Sequence, residues 1–147
     1  MHRLFTVRFT PMCSPDLLAR SPPLHQPSDL LRLPLLSQGD EWWRQWFAAA
    51  GVAADGIEAR PTLRLDSQPI EGRAVLAGLG VALLSPALWP DELRSGQLVQ
   101  PFPLLGEDGH AYWLVYPEGR HRVPKIRAWR EWLLDEVERA DPDSGRR

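Results

Sequence analysis

The sequence predicts an α/β protein with a largely parallel sheet, and three observations carry that prediction. Short apolar or alternating runs at residues 4–9, 33–36, 62–65, 81–84, 98–102 and 111–116 alternate with stretches of helical spacing. Val81-Ala82-Leu83-Leu84 is apolar without a break, the pattern of a strand covered on both faces. Gly78-Leu79-Gly80 separates a helix-like segment from that run, where positive φ and close packing permit a helix-to-strand turn.

Each element has a local reason. Leu4, Phe5, Val7 and Phe9 alternate as a strand entering Thr10-Pro11, and Ser14-Pro15-Asp16 starts a helical turn. Pro27-Ser28-Asp29-Leu30-Leu31 repeats that logic, with Ser28 or Asp29 as the cap. Ser37-Gln38-Gly39-Asp40 is a loop whose Asp40 caps the next helix, residues 41–50. Trp43, Trp46, Phe47 and Ala50 share one face of that helix, and Gly51 sits where a left-handed end residue belongs. Asp66 and Ser67 are cap residues for a further helix, and Pro69 is tolerated in its first turn. A helix start with unpaired N–H groups, held on a buried strand, is a candidate site for a small anion. Pro90-Asp91-Glu92-Leu93 suits a helical turn ended by Gly96, and Glu107-Asp108-Gly109 reads as a turn before the strand at residues 111–116. A long helix starts near Pro124, with Ile126, Trp129, Trp132, Leu133 and Val137 on one face, and residues 141–147 read as a frayed tail.

Composition removes several function classes. The 147 residues are 44% hydrophobic and 24% charged, enough for one ordinary core. No apolar run reaches membrane-spanning length, and Met1–Arg8 has no apolar core of a secretory signal. The formal net charge of −2 is far from the basic balance of a nucleic-acid-binding domain, and the cluster Arg120, His121, Arg122, Lys125 and Arg127 reads as a solvated surface. No direct nucleic-acid binding and no membrane contact are therefore expected. One cysteine, Cys13, cannot form an internal disulfide, which fits a reducing cytoplasm.

Catalytic chemistry finds no support. The dinucleotide fingerprint requires strand, glycines and then helix; here the order is helix, glycines, strand. His2, His25, His110 and His121 lack metal-ligand spacing, so no metal or other cofactor is expected. Cys13 reads as a quiet thiol, and the pairs Asp40-Glu41, Asp91-Glu92 and Glu107-Asp108 read as caps and turns. The expectation is a protein that is not an enzyme. Trp43, Trp46, Trp129 and Trp132 are assigned to the core, whereas Trp42, off the main stripe, is free to meet a ligand or partner. Ser37 and Gln38 fit either a ligand loop or helix capping.

Taken in order, Thr10-Pro11-Met12-Cys13-Ser14-Pro15-Asp16-Leu17-Leu18, Trp42-Trp43, Asp66-Ser67, Ala77-Gly78-Leu79-Gly80-Val81-Ala82-Leu83-Leu84, Glu92-Leu93-Arg94-Ser95-Gly96-Gln97-Leu98-Val99, Tyr112-Trp113-Leu114-Val115-Tyr116-Pro117 and Ala128-Trp129-Arg130-Glu131-Trp132-Leu133 resemble the effector-binding (substrate-binding) domain of LysR-type transcriptional regulators. The pattern is most similar to the branch containing the glycine-cleavage activator and β-lactamase regulators, and it extends from about Leu4 to Val137. The resemblance implies a periplasmic-binding-protein type II-like α/β effector domain, with the second subdomain complete and the first partial. Residues 1–10 would be a crossover strand, 11–105 the second subdomain, 106–138 the return strand and C-terminal helix of the first, and 139–147 a tail. It also implies that Thr10, Pro11, Ser37, Gln38, Asp66, Ser67 and Gln68 line one wall of a cleft for a small effector, anionic or amino-acid-like. The family's DNA-binding helix-turn-helix and the opening part of its first subdomain have no counterpart in this sequence, so the chain is expected to be truncated. The partners that follow are a small-molecule effector and either a second copy of the chain or a full-length regulator. The alternative is an interaction module that senses nothing.

Overall fold

The computed structural model describes residues 1–140; the tail expected at residues 141–147 lies outside the described residues. The principal elements are β1 (His2–Met12), α1 (Pro15–Ala19), α2 (Glu41–Ala49), α3 (Gln68–Leu76), β2 (Ala82–Leu84), α4 (Pro90–Ser95), β3 (Gly106–Leu114) and α5 (Pro124–Ala140). Short 3₁₀ turns at Pro27–Arg32, Ile57–Ala59, Pro86–Leu88 and Arg120–Arg122 connect them. The strands form one sheet in the order β2-β1-β3.

Two of the caps follow the sequence directly. Ser14 accepts a hydrogen bond from the Leu17 N–H at the start of α1, and Asp40 accepts one from Trp42 N–H at the start of α2. Gly51 and Gly96 close α2 and α4 with φ of +70° and +78°. At the Pro27 turn the cap is Gln26 instead of Ser28 or Asp29. The Asp29 carboxylate reaches back to the N–H groups of His25 and Gln26, and those two bonds hold its pKa below the ordinary aspartate value.

Other expectations change. The pairing of β2 with β1 is antiparallel, with Thr10 opposite Leu84, Pro11 opposite Leu83 and Met12 opposite Ala82. The apolar run at residues 81–84 reports burial on both faces, a condition that either strand direction satisfies. A parallel link survives as the single bridge between Leu35 and Val81, and residues 98–102 contribute the single antiparallel bridge of Val99 with Cys13. Residues 62–65 form no strand. The chain at residues 33–36 cannot extend into a longer ladder because Ser37 turns it at φ +49°. Glu107-Asp108-Gly109 is a continuation of β3 and not a turn. Arg8 binds Glu107 at 2.7 Å and the Trp42 indole N–H donates to Asp108 at 2.9 Å, so side-chain partners hold the segment extended.

The described chain divides into two units. Unit 2 is Arg8–Asp108; unit 1 combines Met1–Val7 with the described residues from Gly109 onward. Unit 2 contains both hydrophobic cores. The larger packs Phe9, Leu17, Leu30, Leu35, Trp43, Trp46, Phe47 and Val81. The smaller packs Met12, Leu36, Val75, Ala82, Leu84 and Leu98 behind α3. The buried indole N–H groups of Trp43 and Trp46 are satisfied by the carbonyls of Leu36 and Leu104. Trp42 is also committed, stacked on Phe9 with ring centres 4.4 Å apart. Gly80 passes so close to residue 34 that an added Cβ would lie 2.5 Å from the Pro34 carbonyl oxygen.

Unit 1 has no comparable interior. Among its described residues the buried apolar ones are Val7 and Leu114, and α5 has no buried residue. Trp129 and Trp132, assigned to the core from their spacing, are 52% and 56% exposed. The stripe exists, but within unit 1 there is too little apolar surface to cover it.

Candidate functional site

The candidate site lies in unit 2 and starts from one backbone irregularity. Ser37 occupies the left-handed region, a conformation that costs a non-glycine residue about 1–2 kcal/mol. Its neighbours hold it there: its N–H donates to Leu63 O at 2.9 Å, its Oγ accepts from Leu65 N–H at 3.1 Å, and its carbonyl accepts from Asp40 N–H at 2.9 Å. The bend thus ties residues 63–65, which lead into α3, to the loop that leads into α2. Gln38 is buried beside it; its Nε2 donates to Leu35 O at 3.0 Å while Oε1 is buried without a partner.

The start of α3 is the second component. Ser67 occupies the cap position, as expected, but its side chain caps nothing. Pro69 at the second helical position removes one of the two N–H groups a capping serine can serve, and Ser67 does not take the other, that of Ile70. Asp66 and Ser67 are exposed. Gln68 is fixed, with its Oε1 accepting from Ser85 N–H at 2.9 Å and its Nε2 donating to Ser85 Oγ at 3.1 Å. That clamp joins the helix start to the end of β2.

Thr10 and Pro11 stand on β1 across from Leu84 and Leu83. Both are buried, and the Thr10 hydroxyl donates to Leu104 O at 3.0 Å. The seven residues therefore sort by geometry. Asp66 and Ser67 present free polar groups, while Thr10, Pro11, Ser37, Gln38 and Gln68 fix the backbone around them.

One residue escaped the sequence reading. Glu71, in the first turn of α3, is half-buried, and burial pushes its carboxyl above the ordinary glutamate value. The Ser37 hydroxyl opposes that shift by hydrogen bonding, and the nearby Asp40 charge adds to it. The available signal was an acid four residues after a cap serine, ordinarily explained by the helix dipole. Cys13 is buried with its thiol pushed up to about 11 by desolvation, so it is protonated at neutral pH. Among the described residues no group of three His, Cys, Asp or Glu side chains could hold a metal ion, and no helix is long and apolar enough to cross a membrane.

Unit 2 thus sets a polar, uncapped helix start beside a strained loop. Comparison with known proteins places it. Residues 1–138 match the family described as the LysR substrate binding domain, and the chain belongs to that family. It is 34% identical over 132 residues to the HTH-type transcriptional activator AmpR of Citrobacter koseri, covering 89% of this chain and 44% of the relative. It is 28% identical over 135 residues to the glycine cleavage system transcriptional activator of Escherichia coli strain K12, covering 91% of this chain and 44% of the relative. The chain thus spans less than half the length of these relatives. The effector domain of AmpR from Pseudomonas aeruginosa superposes with a TM-score of 0.74 at 32% identity, covering 92% of this chain and 64% of that one. The fold is accordingly the periplasmic-binding-protein type II-like α/β fold of LysR effector domains, and the named relatives are transcriptional regulators.

Proposed function

We propose that this chain is the effector-sensing part of a LysR-type transcriptional regulator, working in the cytoplasm, and that its ligand meets Asp66 and Ser67 at the start of α3. The single observation that carries this reading is the uncapped Ser67, which leaves a hydroxyl and the first N–H groups of α3 open beside a backbone fixed by Ser37, Gln38 and the Gln68–Ser85 clamp. Thr10 and Pro11 support the same wall from β1. The helix start attracts a carboxylate or similar anionic group. Asp66, Asp40 and the half-buried Glu71 surround that position with acid groups, which disfavours a multiply charged anion. A zwitterion satisfies both features: its carboxylate meets the N–H groups and its ammonium meets the acids. The ligand class proposed is therefore amino-acid-like. The overall similarity is closer to AmpR than to the glycine-cleavage activator, and the regulatory branch we favour is the one containing both.

The test is thermal unfolding of the 147-residue chain in the presence of free amino acids, their N-acetylated forms and simple dicarboxylates. The expected result is a rise in Tm with one or more free amino acids, smaller with the matched N-acetyl compound and lost in Ser67→Ala. Equal shifts in wild type and Ser67→Ala, or a response to dicarboxylates alone, would overturn the proposed site.

A further inference from the structure

The loop before α2 and the first turn of α3 bring together acceptors that nothing in the described chain answers. Ser37 Oγ accepts from Leu65 N–H at 3.1 Å, and its hydroxyl proton serves the Glu71 carboxyl. The other acceptor within its reach, Leu65 O, stands at 3.5 Å, the limit of a hydrogen bond. Asp40, whose N–H donates to Ser37 O at 2.9 Å, adds a second negative charge near Glu71. Gln38 lies inside that bend, between Ser37 and Asp40, and is 4% exposed. Its amide has one orientation there, because Nε2 donates to the Leu35 carbonyl at 3.0 Å. Oε1 is left as a buried acceptor without a donor.

What the arrangement lacks is a positive charge that carries N–H donors. Burial and the Asp40 charge both push the Glu71 carboxyl up, and no Lys, Arg or His is among the groups that act on it. Arg44, the cation of α2, is turned onto Glu41 at 2.7 Å. A buried acceptor without a donor and a half-buried carboxyl without a cation each carry a cost, and one small group removes both. A primary ammonium is cationic, compact and rich in donors; a quaternary ammonium has the charge but no N–H. A multivalent metal ion does not fit, since among the described residues no group of three His, Cys, Asp or Glu side chains could hold one. The exposed Asp66 gains little from pairing in water.

We infer, resting on the effector-sensing function proposed above, that Glu71 is the residue that selects a primary ammonium group on the ligand, with Gln38 Oε1 as the second acceptor. Asp40 acts through its charge.

Titration of the full chain with methylammonium chloride, against tetramethylammonium chloride at the same ionic strength, tests this. The side-chain carboxyl carbon resonance of Glu71 is expected to shift saturably with methylammonium and to ignore tetramethylammonium. Glu71→Gln keeps an acceptor for the Ser37 hydroxyl. It is expected to raise the methylammonium Kd, read from the concentration dependence of Tm, at least about tenfold. Glu118→Gln, which removes an exposed acid of unit 1, is expected to leave that Kd unchanged. A Glu71 resonance that ignores methylammonium, or answers both cations alike, overturns the assignment. Free amino acids that raise the Tm of wild type and Glu71→Gln equally also overturn it, while the effector-sensing function stands. Methylammonium bound at Glu71 with no response to any amino acid does the reverse.

Discussion

Helices α2 and α5 carry the same kind of stripe, Trp43, Trp46 and Phe47 on one and Ile126, Trp129 and Leu133 on the other, yet unit 2 buries the first and unit 1 leaves the second open. Trp43 and Trp46 are 1% and 0% exposed, and their indole N–H groups meet backbone carbonyls. Trp129 and Trp132 are 52% and 56% exposed, and among the described residues their indole N–H groups have no such partners. The comparison teaches that amphipathic spacing specifies a face that must be covered, not what covers it. In unit 2 the cover comes from Phe9, Leu30, Leu35 and Val81, drawn from segments far apart in sequence. In unit 1 the described residues supply no such cover.

The sharpest way to break the comparison is to truncate one tryptophan in each helix. Trp46→Ala removes a side chain with no exposure and one of the two hydrogen bonds to the Leu104 carbonyl; it should cost about 3–5 kcal/mol in urea unfolding, or prevent folding. Trp132→Ala, measured on dilute protein, should change stability by no more than about 0.5 kcal/mol. Similar costs at both sites would show that unit 1 has an interior after all.

A smaller effect probes how the core of unit 2 is closed. Gly80→Ala would bring a Cβ within 2.5 Å of the Pro34 carbonyl oxygen, a backbone atom with no room to yield. The Leu35–Val81 bridge must open in response, at a cost of about 1–3 kcal/mol. Gly109→Ala in unit 1 meets nothing within 4 Å and tests only the positive φ at that position. Its cost should be the smaller of the two by the same unfolding measurement.

The smallest effect concerns pH. Burial holds the folded-state pKa of Glu71 above its unfolded value of 4.5, so as pH rises the unfolded chain gives up this proton first. Its contribution to stability is therefore complete below about pH 4.5, falls as pH rises through the folded pKa, and stays lower above it. Glu71→Gln should match wild type in acid and gain on it as pH increases. Parallel stability curves for the two proteins would sink the assignment of a strained carboxyl beside Ser37.

Several parts of this arrangement were legible residue by residue. Ser14 and Asp40 cap as their side chains require, because a cap needs only the next three residues. Ser67 stands at a helix start as expected, and only the structure shows that its side chain makes no capping bond, since Pro69 removes just one of the two donors it could serve. Ser37 and Gln38 were recognised as a loop before a helix. The positive φ of Ser37 was not recognised, since it is imposed by residues 63 and 65 and not by its neighbours. Glu71 stayed hidden for the same reason: its pKa depends on what buries it.

The sequence by itself determined which segments are helical, the starts of α1, α2 and α3, the apolar stripes of α2 and α5, the two-sided burial of residues 81–84, and the family to which the chain belongs. Those features depend on spacing, caps and conformational preference, which act over a few residues. Only the tertiary structure decided the antiparallel pairing of β2 with β1, the continuation of β3 through Glu107-Asp108, and the opposite fates of Trp46 and Trp129. Strand direction, side-chain partners across the chain and available cover are relations between distant segments, and no local pattern encodes them.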